Sequence, residues 1–220
     1  LRRAKESGSL IKIFIARHGE TTWNAEGRIQ GRSDPELSPR GGEQSLVLLD
    51  RLRDRPLSAI YTSTLQRATA TAEPTARFFG IPIRRQPELD EIGFGILEGK
   101  MLKNPDEDVL REWERFKNDR WVYRIPGAEN YTDVANRIVP FFKRILVQHQ
   151  DQEILVVGHR VVNRLLIGML LEAPLEEAPN FEQTNDTLYL VGKNGKTEVF
   201  HYVDGEVREG LLPMKRPGTL

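Results

Sequence analysis

The chain has no cysteine, and that single absence removes disulfide scaffolds, thiol catalysis, iron–sulfur clusters and thiolate zinc sites together. Charge excess is missing too: 32 Lys and Arg offset 32 Asp and Glu. Proteins that work on nucleic acid or an anionic membrane ordinarily carry a basic surplus, so neither partner is expected, and anion binding must come from local clusters. No apolar run approaches the ~18–20 residues that a membrane helix needs. The polar start, Leu1 to Ser9, has no signal-peptide apolar region, so a cytoplasmic location is expected. A Walker-type glycine loop, His-x-His, His-Glu-x-x-His and the calcium-loop pattern are all absent. Nucleotide hydrolysis by the glycine-loop route and the common metal sites are therefore set aside, and neither metal nor cofactor is expected.

What is present suits one α/β domain of 220 residues, with 39% hydrophobic residues to build a core. Ile11–Ala16 is a short apolar, β-branched run that reads as a strand buried on both faces. A polar loop follows through Pro35. Ser38-Pro39 opens a helix carrying Leu46, Leu49 and Leu52 at helical spacing. Ala59–Tyr61 is a second strand, Leu65–Phe79 a helix ended by Gly80, and Ile81–Arg85 a third strand. From Gly93 to Pro126 glycine, charge and aromatics dominate around one helix near Asp106–Arg120, which reads as an insertion over one end of the core. Asn130–Gln150 is a long amphipathic helix with Val134, Ile138, Phe141, Phe142 and Ile145 on one face. Glu153–Gly158 is a strand, Val161–Leu171 a buried helix, and Asp186–Val191 and Thr197–Val203 flank an Asn194-Gly195 turn. Strands alternating with helices predict a three-layer α/β/α sandwich around a mostly parallel sheet, with ligands outside the carboxyl ends of its strands.

Only four histidines occur: His18, His149, His159 and His201. His18 and His159 each follow an apolar strand, on the edge where such folds place active sites; His149 and His201 read as structural. Arg17 precedes His18, and Asn24, Arg28 and Arg32 share its loop. A guanidinium beside an imidazole disfavours the imidazolium and offers a fork for an oxyanion, as a neutral nucleophilic imidazole facing a phosphate requires. A second basic group comes from Tyr61-Thr62-Ser63-Thr64-Leu65-Gln66-Arg67, where free amides of a helix start favour anions. The residues thus suggest a phosphate pocket of Arg17, Arg67 and two imidazoles.

Arg17-His18-Gly19-Glu20-Thr21-x-x-Asn24 resembles the signature of the histidine phosphatase superfamily, which includes the cofactor-dependent phosphoglycerate mutases. Tyr61-Thr62-Ser63-x-Leu65-x-Arg67-Ala68-x-x-Thr71-Ala72 is similar to the second family motif. Leu89-Asp90-Glu91-Ile92 with Leu97-Glu98-Gly99 is similar to the third, Val156-Val157-Gly158-His159 to the fourth, and Pro126-Gly127-Ala128-Glu129 to a further segment. These motifs follow family order over Ile11–Val191. The resemblance implies that His18 attacks phosphorus and is transiently phosphorylated. It implies that Arg17, Arg67 and His159 hold the equatorial oxygens, and that Glu91 protonates the leaving oxygen and then activates water. Asn24, Gln30, Gly31 and the backbone amide after His159 would complete the phosphate cradle. Where the family most often has Gly after the second histidine, this chain has Arg160, whose side chain either adds charge to the pocket or turns into a salt bridge.

The implied fold is phosphoglycerate mutase-like: a single domain over residues 1–220, with its core at about 10–92 and 127–203, an insertion at about 93–126 and flexible ends at about 1–9 and 213–220. The stretch between Glu91 and His159 is shorter than in the mutases, and that favours a metal-independent phosphatase over a 2,3-bisphosphoglycerate-dependent mutase. A non-catalytic phosphate-binding module is a third reading, disfavoured because nucleophile, acid and second histidine are all present. The expected partner is a small anionic phosphorylated metabolite, and monomer and homodimer are both open. Within the insertion, Lys100, Lys103, Arg111, Arg115, Lys117, Arg120 and Arg124 alternate with Trp113, Phe116, Trp121 and Tyr123. They read either as substrate contacts or as a solvated basic face backed by an aromatic one.

Overall fold

The computed structural model describes residues 11–175, 181–194, 196–203 and 205–214. The described elements run β1 (Ile11–Arg17), α1 (Thr22–Glu26), α2 (Pro39–Leu52), β2 (Leu57–Thr62), α3 (Gln66–Phe79), β3 (Ile83–Arg85), α4 (Glu107–Asn118), α5 (Tyr131–Gln148), β4 (Glu153–Gly158), α6 (Arg160–Leu170), β5 (Leu188–Asn194), β6 (Lys196–Val203) and β7 (Glu206–Glu209).

In β1, alternation sends Ile13 and Ile15 to one face of the sheet and Phe14 and Ala16 to the other, and all four are buried. Phe14 and Ala16 join Leu48 and Leu52 of α2 and Ala68 and Ala72 of α3. Ile13 and Ile15 join Val134, Ile138 and Phe141 of α5 and Val162 and Leu165 of α6. These two cores make the three layers. The insertion extends the second of them, because Leu97, Val109, Phe116 and Ile125 are buried in the same cluster.

The sheet order is β3-β2-β4-β1-β5-β6-β7. The expectation of a mostly parallel sheet needs correction: β3, β2, β4 and β1 pair in parallel, whereas β5, β6 and β7 each pair antiparallel with their neighbours. A parallel pair needs a long crossover, and the step from Asn194 to Lys196 has no room for one. The Asn194-Gly195 turn itself lies outside the fully described residues, as do residues 1–9 and 215–220 of the ends read as flexible. Nearer the core, Pro213 bridges to Phe181, and Met214 Sδ lies 3.1 Å from Arg164 Nη2.

Local differences have physical reasons. Ser38 caps α2 through the Gly41 amide at 3.1 Å, as its position predicts. The buried face of α2, however, is Gly41, Ser45, Leu48 and Leu52, while Leu46 is exposed. Positions 46, 49 and 52 follow a three-residue spacing, which drifts around a helix of 3.6 residues per turn. Among the described residues, no helix is long and apolar enough to cross a membrane.

Candidate active site

Parallel pairing brings the two strand-end histidines together. Ala16 stands opposite Val157 and Arg17 opposite Gly158, so the next residues, His18 and His159, emerge side by side. Their ring centroids are 5.1 Å apart, both rings are buried, and the His18 amide donates to Gly158 O at 3.0 Å.

His18 Nδ1 lies 2.7 Å from the carbonyl of Gly19. That contact is a hydrogen bond only if Nδ1 carries the proton, so Nε2 holds the lone pair. Burial, followed by the charges of Arg17 and Arg67, holds the imidazole well below the ordinary histidine range. His159 is displaced the same way, by burial first and then by Arg67. Its Nε2 meets Ser63 Oγ at 2.7 Å, and its buried Nδ1 has no partner.

The direction of these shifts fixes a pH dependence. An unfolded chain binds protons on both imidazoles near pH ~6.5, whereas the folded chain does not. Folding stability is therefore complete above that value and is lost as pH falls through it. The urea unfolding midpoint should drop between about pH 8 and pH 5, and His18→Gln should flatten the slope.

Arg17 and Arg67 flank the pair. Burial, helped by Arg160, lowers Arg17 to about 10. Burial also lowers Arg67, against the opposing pull of Glu91 and Asp34. Arg67, only 1% exposed, is aimed by the carbonyls of Ser33 and Gly31, with Gly31 O at 2.8 Å. The Nε atoms of both arginines are buried without partners, as is Gln30 Oε1. Gly31 thus supports Arg67 through its carbonyl. Asn24 spends Oδ1 on the Thr21 amide at the cap of α1, which leaves its Nδ2 for the cleft it lines.

One expectation is overturned. The amides at the start of α3 are not available to an anion, because Asp34 accepts from Gln66 N and Arg67 N, and Asp90 accepts from Thr64 N. Carboxylates supplied by distant loops cap this helix start, a pairing that the local sequence does not reveal. At α6, by contrast, no side chain caps the helix start at His159.

Glu91 is 8% exposed, lines the cleft, and accepts the Ile92 amide through Oε1 at 3.1 Å. Its backbone is clamped by Arg137, which the sequence reading did not single out. Arg137 Nη1 donates to Glu88 O at 2.7 Å and its Nη2 to Glu91 O at 3.2 Å, while Glu129 holds its Nε at 3.0 Å. Burial works against the charge of Glu98, yet donors from Arg32, Ser33 and Phe94 hold its carboxyl below the usual range. Glu98 thereby ties the Gln30–Ser33 loop to the insertion.

Arg17, His18, Asn24, Gln30, Arg67 and Glu91 line a cleft of about 430 Å³, and the fully buried His159 ring lies beside that of His18. The basic and aromatic residues of the insertion divide between the cleft and the surface. Trp113, Phe116, Lys117 and Arg120 line the cleft, whereas Arg111, Arg115 and Arg124 pair with Asp108, Glu112 and Asp133. Arg160 also does both: it lines the cleft and forms a salt bridge to Glu182 at 3.0 Å. His149 and His201 are structural, bonded to Tyr61 Oη at 2.8 Å and to Gly210 O at 2.8 Å.

Two glycines let the loop that carries His18 sit against α2. A Cβ on Gly41 would stand 2.0 Å from Glu20 O, and one on Gly19 would stand 2.6 Å from Gly41 O. Backbone must move to admit either. Gly41→Ala should therefore cost about 2 kcal/mol in urea unfolding and lower turnover by displacing the loop that carries His18.

Known proteins match this chain over most of its length. A family model described as the histidine phosphatase superfamily (branch 1) matches residues 13–204. Phosphoserine phosphatase 1 of Hydrogenobacter thermophilus is 30% identical over 172 residues, covering 78% of this chain and 82% of that protein. A protein named probable phosphoglycerate mutase GpmB, from Salmonella choleraesuis, is 32% identical over 165 residues, covering 75% and 77%. Among solved structures, the alpha-ribazole phosphatase from Shigella flexneri superposes with a TM-score of 0.77 at 26% identity, covering 95% of this chain and 99% of that one.

Proposed function

We propose that this chain, which belongs to the histidine phosphatase superfamily (branch 1), hydrolyses the phosphomonoester of a small anionic metabolite through a phosphohistidine on His18, without a metal ion. The observation that carries this reading is the state of His18. It is buried, its Nδ1–H is spent on Gly19 O, and its free Nε2 lone pair lies between cations.

In the first step Nε2 attacks phosphorus in line. A P–N bond forms, the P–O bond to the alcohol breaks, and Glu91 gives its proton to the departing oxygen. Arg17, Arg67 and His159, whose unpaired Nε and Nδ1 atoms supply donors, hold the equatorial oxygens as charge redistributes. In the second step Glu91 takes a proton from water, the water oxygen bonds to phosphorus, and the P–N electron pair returns to His18. Inorganic phosphate and the free alcohol are the products. The cradle supplies the positive charge that a metal would otherwise bring. The relatives named phosphoserine phosphatase and alpha-ribazole phosphatase support hydrolysis as the outcome.

The test is rapid quenching of the enzyme with radiolabelled substrate in EDTA. An acid-labile, base-stable label on His18, formed and lost at the rate of phosphate release, is the expected result. Phosphate release with no label would sink the phosphohistidine. Label with isomer formation and no phosphate release would make the chain a mutase.

A further inference from the structure

One wall of the cleft carries more positive charge than the phosphoryl cradle uses. Arg160 and Arg164 stand one turn apart at the start of α6, and both line the cleft. The Arg164 side chain is 6% exposed, yet its buried Nε has no partner, and neither does that of Arg160. The two share one carboxylate. Arg160 Nη2 donates to both oxygens of Glu182, at 3.0 and 3.3 Å, and Arg164 Nη2 lies 3.4 Å from Oε1.

Two guanidiniums against one carboxylate leave one net positive charge in a wall where the Arg164 side chain is buried and the Arg160 side chain half-exposed. Burial and then repulsion from Arg160 lower Arg164 to about 10. Arg17 is depressed by the same two causes in the same order. Other cations of the cleft have acidic partners of their own, Arg28 with Glu26 and Lys117 with Glu114, while Arg120 and Arg164 each lie over a ring, Tyr131 at 5.6 Å and Phe181 at 5.9 Å. A surplus buried charge is unfavourable until an anion meets it.

We propose that Arg160 and Arg164 form a second anion subsite that receives a carboxylate of the substrate, so that the chain acts on phosphomonoesters of small hydroxy acids. The proposal rests on the phosphatase reading above. A carboxylate matches the single surplus charge, whereas a second phosphoryl dianion would exceed it. Glu182 keeps the two guanidinium groups in place for that contact. It is anchored through its own backbone, its amide donating to Leu212 O at 2.8 Å and its carbonyl accepting from Tyr189 Oη at 2.6 Å.

The test uses pairs that differ at the carboxylate: 2-phosphoglycerate against glycerol 2-phosphate, and O-phosphoserine against phosphoethanolamine. The wild-type chain should favour the acid of at least one pair by ~30-fold or more in kcat/KM, and R164M should cut that ratio below ~5-fold, the scale of a lost charge-assisted hydrogen bond. Equal turnover of both members by wild type would overturn the subsite. So would an R164M chain whose two rates fall together at an unchanged ratio. Should R164M fail to fold by circular dichroism, R160M at the 41% exposed Arg160 side chain decides. Its ratio must fall several-fold, and an unmoved ratio ends the proposal. p-Nitrophenyl phosphate separates the two levels. If H18A loses its hydrolysis while the pairs are treated alike, only the subsite fails; if H18A hydrolyses it normally, the phosphatase reading fails and the subsite with it.

Discussion

His18→Ala should lower phosphatase turnover on the order of 10⁴-fold or more, as loss of a covalent nucleophile does elsewhere, while the chain stays folded. The fold should survive because the anchors of the loop are backbone groups. His18 N donates to Gly158 O at 3.0 Å, and Asn185 Nδ2 donates to His18 O at 2.7 Å. Neither contact needs the imidazole. The variant's stability should fall less steeply than wild type's as pH drops through the mildly acid range, since one imidazole held neutral by burial is gone. Steady-state phosphate release in EDTA checks the activity, and urea unfolding at two pH values checks the fold. Full turnover in His18→Ala would remove the covalent step and leave direct attack by water in the same cleft.

The two strands that carry the histidines were legible because each is buried on both faces and therefore holds a run of consecutive apolar residues, Ile13–Ala16 and Ile154–Val157, and then turns polar within two positions. β4 runs Glu153–Gly158 as read, and β1 adds only Arg17. Parallel pairing of two such strands, with their ends in register, is enough to bring His18 and His159 together. Two short elements without a buried stripe were not legible. α1 is five residues with none buried, and β7 has four exposed residues. The polar partners of the site were illegible for another reason, which is sequence distance. Ser63 reaches His159 across 96 positions, and Arg137 reaches the Glu91 carbonyl across 46. Ser63 lay within a quoted motif without a role, whereas Arg137 had only its place on a helix. Asp34 and Asp90, capping the start of α3, belong with these. A helix start looks free of partners in sequence whenever its cap comes from another loop.

Glu91→Gln should separate the two chemical steps. Gln has nearly the shape of Glu, and the Arg137 clamp grips the backbone carbonyls of Glu88 and Glu91, so the side chain stays where it is. What is lost is the proton donor and acceptor. With an alkyl phosphomonoester, turnover should fall about 10²-fold or more, the usual scale for an acid–base group. With p-nitrophenyl phosphate the leaving group needs no proton, so His18 should still be phosphorylated at close to the wild-type rate. Water then meets a phosphohistidine with no base beside it. The trace should show a burst of one nitrophenolate per chain, followed by slow release, with label trapped on His18. Phosphate should bind at least as well as before, because Glu91 opposes the anion that Arg17 and Arg67 attract. A variant that slowed both substrates equally without a burst would place Glu91 outside proton transfer. Its carboxylate would then serve only to balance the two arginines, and another group would have to be found to protonate the leaving oxygen.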